Sequence, residues 1–256
     1  MRSDTRSPED AAKPVFAPGL YKIGGVAALL AALVFRRNWS AEYSLLRTLG
    51  VISQGPTAVP TNAGDWFVVL QNHPLIGLIL FNLFDLVNYA LLGLILLALC
   101  AALRRAGRGA AALAATCTMV GVAVAFASNQ ALAMLSLSQR HALATSEPEQ
   151  MMLQGAGEAL LAIDSPAGPF PGAGTAIALF LVTLASLILA GLMLRSGVFR
   201  ATTGYVGLVA EGLQMTYFLA LAVAPGLLAL PPSLAAPFRL AWYVLVGRRL
   251  LQLAKE

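Results

Sequence analysis

Residues able to do chemistry are few in this chain, and most of them lie inside apolar runs. The stretch FNLFDLVNYALLG, Phe81 to Gly93, places Asn82, Asp85, Asn88 and Tyr89 in surroundings that otherwise read as lipid-soluble helix. At about 100° per residue these four fall within about 120° of arc, so they share one helix face. An ionised carboxylate at the centre of a bilayer costs about 2.5 to 3.5 kcal/mol on insertion scales. Asp85 is therefore expected to face the interior of a bundle, where it is paired, hydrogen-bonded or protonated.

Further along, Cys117, Gly121, Ala125, Asn129 and Ala133 recur at four-residue spacing, a small-residue stripe that marks close helix contact. Glu211, Gln214 and Tyr217 share a face of a later apolar run, and Arg239 interrupts the last one. Depth measured from the expected helix ends puts Asp85, Asn129 and Arg239 in the outer half of a membrane and Glu211 nearer the inner side. Asp85 with Arg239 is thus the expected ion pair, and Glu211 needs a different partner. The candidate ligand-binding polar pocket is Asp85, Asn82, Asn88, Tyr89, Asn129 and Arg239; Glu211, Gln214 and Tyr217 form a candidate second polar site. Such residues act either as interhelical hydrogen-bond glue, worth about 0.6 kcal/mol each on average, or as a functional site.

Other chemistries lack their parts. The two histidines, His73 and His141, have no cysteine or carboxylate at ligand spacing, which argues against a zinc or di-iron site. Cys100 and Cys117 fall near the ends of consecutive apolar runs and read as packing residues, not as a disulfide framework. Neither a G-x-S-x-G elbow, a P-loop, an H-E-x-x-H pair nor a dinucleotide fingerprint occurs. GAGE at Gly155 lacks the preceding strand that a phosphate loop requires.

The elements that must position these residues follow from composition. Of 256 residues, 58% are hydrophobic and 11% charged, against about 25% charged in a soluble domain of this size. The fold class is therefore all-α, a polytopic membrane helix bundle. Six runs approach the roughly 20 residues that a bilayer core of about 30 Å requires: Val15 to Phe35, Leu75 to Leu103, Gly109 to Ser136, Thr175 to Leu194, Thr203 to Val223 and Ser233 to Leu253. Residues 1–14 form a polar cytoplasmic tail, and 15–256 a single transmembrane domain. The first run leads into FRRNWS without a small-residue cleavage site, so it is expected to stay in the membrane.

Cation placement sets the orientation. Arg2, Arg6, Lys13, Lys22, Arg104, Arg105, Arg108, Arg195, Arg200, Arg248, Arg249 and Lys255 fall on one side of the six runs, against Arg36, Arg37, Arg47 and Arg140 on the other. The net charge of +5 thus punctuates apolar runs and does not form a nucleic-acid footprint. By the positive-inside rule both termini are cytoplasmic. Two outer loops are long, and SAEYSLLRTLGVIS in the first and EPEQMMLQGAGEALLAI in the third each read as a short amphipathic helix forming a lid. DSPAGPFPGAG and APGLLALPPSLAAP read as turns on that face.

In order along the chain, LYKIGGVAALLAAL, NHPLIGLILFNLFDLVNYALLGLILLALCAALRR, ASNQALAMLSLS with GEALLAI, and LRSGVFRATTGYVGLVA resemble an uncharacterised bacterial integral membrane family, domain of unknown function 4386. The resemblance spans nearly the whole chain and implies six helices in a bacterial cytoplasmic (inner) membrane, with no activity or catalytic residue to carry over. Arg239 stands where members of that family often have an acidic residue early in the last helix, which would invert the charge of a shared site.

The function read from these residues is non-enzymatic: binding of a lipid or hydrophobic small molecule, or of a partner membrane protein within a larger complex. The alternative is small-solute or proton-coupled transport with Asp85 and Glu211 as carriers, although no internal repeat supports a duplicated transporter. An intramembrane enzyme ranks last, because no nucleophile, metal set or phosphate clamp accompanies the carboxylates. The residues specify no cofactor and no nucleic-acid partner; the bilayer itself is the one partner that composition demands.

Overall fold

Backbone polar groups in hydrocarbon must be satisfied within their own segment, so apolar runs of this length form helices. The computed structural model describes residues 18–35, 60–164, 166 and 172–256. In chain order the helices are α1 (Pro18–Phe35), α2 (Ala63–Asn72), α3 (Pro74–Leu78), α4 (Phe84–Leu103), α5 (Arg108–Ser128), α6 (Ala131–Leu143), α7 (Glu147–Ile163), α8 (Ala173–Ser196), α9 (Ala201–Val223) and α10 (Leu230–Leu253). A π-type turn (Ile79–Leu83) links α3 to α4, and a 3-10 turn (Pro225–Leu227) precedes α10.

Four stretches are long and apolar enough to cross a membrane: Pro74–Leu103, Arg108–Leu143, Ala173–Ser196 and Ala201–Val223. Two of the six expected spans fall outside that set. Pro18–Leu33 is apolar but shorter, and α10 is long but carries Arg239, Arg248 and Arg249.

Two expected continuous helices are interrupted. The run expected from Leu75 to Leu103 breaks at Phe81 (φ −90°, ψ 37°) and Asn82 (φ 65°, ψ 22°). The run expected from Gly109 to Ser136 stops at Asn129, where ψ turns to 122°, and restarts at Ala131. Length gives the reason. The 30 and 36 residues of these stretches would extend about 45 and 54 Å at 1.5 Å per residue, well beyond a 30 Å core. The 20 residues of α4 and 21 of α5 match that core, and the remainder bends away.

Those bends divide the apolar packing in two. Residues of α1, α4, α5, α8 and α10, including Leu96, Leu99, Leu189, Met193, Trp242 and Leu250, bury one another in a bundle core, and α9 packs on α8 and α10. The stripe Cys117, Gly121 and Ala125 is buried; a Cβ at Gly121 would stand 2.9 Å from Val182, which is how closely α5 and α8 approach. The stripe ends there: Asn129 leaves the α5 contact, and Ala133 is exposed on α6. A smaller core joins α2, α3, the π-type turn, α6 and α7 through Trp66, Phe67, Leu70, Phe81, Met134 and Leu161. Trp66 meets Phe81 edge-on at 4.8 Å.

This second core is a cap on one end of the bundle. Its α7 is the amphipathic helix expected in the third loop, whereas SAEYSLLRTLGVIS lies outside the described residues. Helix α2 replaces part of the expected first loop: Asn62 accepts from the Asp65 amide (2.9 Å) as its N-cap, and Glu158 of α7 accepts from the Ala63 amide (2.7 Å). Ser138 donates to the Phe67 carbonyl (3.2 Å), and the Gln71 amide donates to the Ser138 carbonyl (3.0 Å). His141 stacks at a tilt on Phe67. At the opposite end, Arg249 Nε donates to the Val198 carbonyl between α8 and α9 (2.8 Å). Tyr21 of α1 lies in coulombic range of Arg105 beside α4. The start of α1 and the end of α10 therefore share the basic end of the bundle.

Candidate functional site

The site begins with a backbone conformation that few residues adopt. Asn82 is in the left-handed region, where asparagine is the least unfavourable choice after glycine. Asn82 thus lies on the break and not on the helix face expected to carry it with Asp85, Asn88 and Tyr89. A break frees backbone groups that must be satisfied at this depth. Asn129 satisfies them from both sides: its Nδ2 donates to the Asn82 carbonyl (2.9 Å), and its Oδ1 accepts from the Ala131 amide (3.1 Å). One side chain therefore ties the α3–α4 break to the α5–α6 break.

Helix α4 restarts at Phe84, which puts Asp85 in its first turn. Free N–H groups and the positive end of the helix dipole favour a carboxylate there. Asp85 is exposed at the start of α4, the end of that helix nearer the cap. One turn deeper, Tyr89 is buried and lies in coulombic range of Asp85, Arg239, Tyr243 and Asp164. Beside it, Asn88 Oδ1 is buried with no hydrogen-bond partner among the described residues.

Arg239 pairs with Glu211. Its Nη2 donates to Glu211 Oε2 (3.0 Å), its Nε to Glu211 Oε1 (3.2 Å), and its Nη1 to Gln214 Oε1 (3.2 Å). The two-pronged Arg–Glu contact corrects the expectation that Glu211 lies too deep for Arg239 and needs another partner. The physical reason is where α10 begins. It starts at Leu230 with proline in its first turn, a position proline tolerates because its missing N–H has no helical partner there. Arg239 is consequently the tenth residue of α10, and Glu211 the eleventh of α9. The two helices run antiparallel and bring both residues to mid-bundle.

The candidate pocket and the candidate second site therefore meet at Arg239. Tyr89 approaches Arg239 from α4, and Glu211 and Gln214 bond it from α9. Tyr217 is buried against Phe218 and gives the ion cluster no hydrogen bond. Asn82 and Asn129 form the rim. Sequence reasoning missed Tyr243 and Asp164. The signal for Tyr243 was its four-residue spacing from Arg239. Asp164 caps the C-terminus of α7 and accepts from Thr175 Oγ1 at 3.4 Å. Burial pushes its carboxyl above the usual range, and the Thr175 hydrogen bond opposes that.

Chemically, the arrangement offers one buried, internally neutralised ion pair with a polar layer above it. It presents an acceptor at Asn88, a phenol at Tyr89 and carboxylates at Asp85 and Asp164. Among the described residues no three His, Cys, Asp or Glu side chains converge as a metal would need. Searches against protein-family models, curated proteins and solved structures each found no match.

Proposed function

We propose that this chain is a multi-pass protein of the bacterial cytoplasmic membrane, with α1, α4, α5, α8, α9 and α10 as six spans and both termini cytoplasmic. Its polar layer beneath the cap binds a lipid or hydrophobic small molecule that carries a hydrogen-bond donor. Membership in the family that its sequence resembles is part of the same proposal. The cations gathered at the end of the bundle opposite the cap support the orientation.

The observation that carries the binding reading is Asn88 Oδ1, a buried acceptor without a partner among the described residues, next to Tyr89 and Asp85. Leaving such an atom unsatisfied costs about 1 to 3 kcal/mol, a cost that a bound donor removes. The cap above it, with its own core, supplies a cover, and the rim residue Asn129 holds the cap at the break. The test is thermal unfolding in detergent, titrated with total polar lipid extract from the expression host. The wild type should gain melting temperature, while Asp85→Asn should unfold normally without lipid and lose most of the gain. An equal gain in both proteins would remove Asp85 from the site.

Two interrupted helices meeting at one level favour a second reading, solute transport, because discontinuous helices line the substrate sites of many transporters. Uptake into proteoliposomes driven by a pH gradient, abolished in Asp85→Asn with Glu211→Gln, would favour transport over binding.

A further inference from the structure

The basic end of the bundle holds a shallow cavity, open to solvent, of about 420 Å³, lined among the described residues by Arg248, Leu251, Gln252 and Lys255. The spacing puts Arg248, Leu251 and Gln252 on one face at the end of α10, and Lys255 follows two residues beyond its last residue. Neighbouring Arg249 is not available to this cavity. It donates to the Val198 carbonyl and pairs with Glu256 at 2.9 Å, so the carboxylate nearest in sequence is already neutralised. Arg248 and Lys255 have no carboxylate partner among the described residues. Gln252 Oε1 accepts from Arg249 Nη1 at 3.5 Å, which leaves its amide N–H groups to donate. The lining thus combines two cations with no carboxylate partner among the described residues, an amide donor and the partly exposed apolar side chain of Leu251.

We infer that this cavity binds a phosphate group, clamped by Arg248 and Lys255, either on an anionic membrane lipid or as free phosphate. Charge-assisted bonds from arginine and lysine are the strongest that a phosphate receives. Basic pockets beside spanning helices on the cytoplasmic side bind anionic lipid headgroups, whose acyl chains need apolar surface nearby. Leu251, partly buried against Gly25 of α1, offers its exposed edge as that surface. The inference stands apart from the binding layer under the cap, since the cavity lies at the opposite end of the bundle.

The test uses the full chain in phosphatidylcholine nanodiscs: alone, with phosphatidylglycerol added, or with inorganic phosphate added. Native mass spectrometry and melting temperature are read in each. Arg248 and Lys255 are exposed, so Arg248→Gln with Lys255→Gln leaves the core untouched; Lys255→Gln alone, beyond the last residue of α10, serves as a second variant. The wild type should retain phosphatidylglycerol over phosphatidylcholine by about tenfold or more, the double variant should lose that preference, and the single variant should lose part of it. A melting shift with inorganic phosphate but none with phosphatidylglycerol, lost in the variants, identifies free phosphate as the source. Retention and melting shifts that are identical in wild type and both variants would overturn the site.

Discussion

The Arg239–Glu211 pair should behave as a buried ion pair whose halves depend on each other. The Glu211 side chain is 3% exposed and that of Arg239 11% exposed, with two charge-assisted bonds between them at 3.0 and 3.2 Å. Glu211→Gln keeps the shape but leaves the guanidinium without a counter-charge. Removing one partner of a buried pair typically costs about 3 to 5 kcal/mol, while replacing both with apolar side chains of similar volume is often neutral or stabilising. Glu211→Gln, Glu211→Leu and Arg239→Met should each destabilise by about that amount in reversible unfolding in mixed micelles. Glu211→Leu with Arg239→Met should recover to within about 1 kcal/mol of wild type, or exceed it. The double-mutant cycle is the appropriate assay because the two sites are in contact and their effects are not additive. Single losses under about 1 kcal/mol, or a double loss equal to the sum of the singles, would refute a mutually dependent buried pair.

Other consequences follow from the same geometry. Asn129→Leu removes both hydrogen bonds that join the breaks and should cost about 1 to 3 kcal/mol, with hydrogen exchange rising first around Asn82 and Ala131. Single-cysteine labelling with a membrane-impermeant maleimide should modify Gln150→Cys from the periplasmic side and Lys255→Cys only after permeabilisation; the reverse pattern would invert the proposed topology. For Asp164, burial raises the folded carboxyl above its unfolded value, so its stabilising contribution is fully present below the unfolded pKa and is lost as pH rises through the folded one. Asp164→Asn should therefore be more stable than wild type at neutral pH, and the gap should close on acidification in pH-dependent melts.

Much of the architecture was legible because hydropathy alone marks membrane helices, and the ends of α8 and α9 fall within two residues of the expected ones. The breaks were less legible. FNLFDLVNYALLG keeps its apolar character across Asn82, so periodicity runs straight through a residue whose backbone reverses hand. The available signal was length, since Pro74–Leu103 and Arg108–Leu143 are both too long for one crossing. The partner of Glu211 is misassigned for a related reason. PPSLAAP looked like a turn, and starting the last helix at Ser233 placed Arg239 too near the surface, whereas proline in the first turn lets α10 begin at Leu230. Asp85 changed most in meaning: what reads as a carboxylate inside a span is a first-turn residue of α4, placed where a helix N-terminus favours it.

The binding layer is tested most directly by the molecules that accompany the purified protein. Organic extracts of wild type and of Asp85→Asn with Asn88→Leu, purified identically, should be compared by liquid chromatography and mass spectrometry after normalisation to protein. The polar layer under the cap predicts a compound near one equivalent in the wild type that falls at least about tenfold in the variant. Indistinguishable extracts from two equally folded proteins would contradict it.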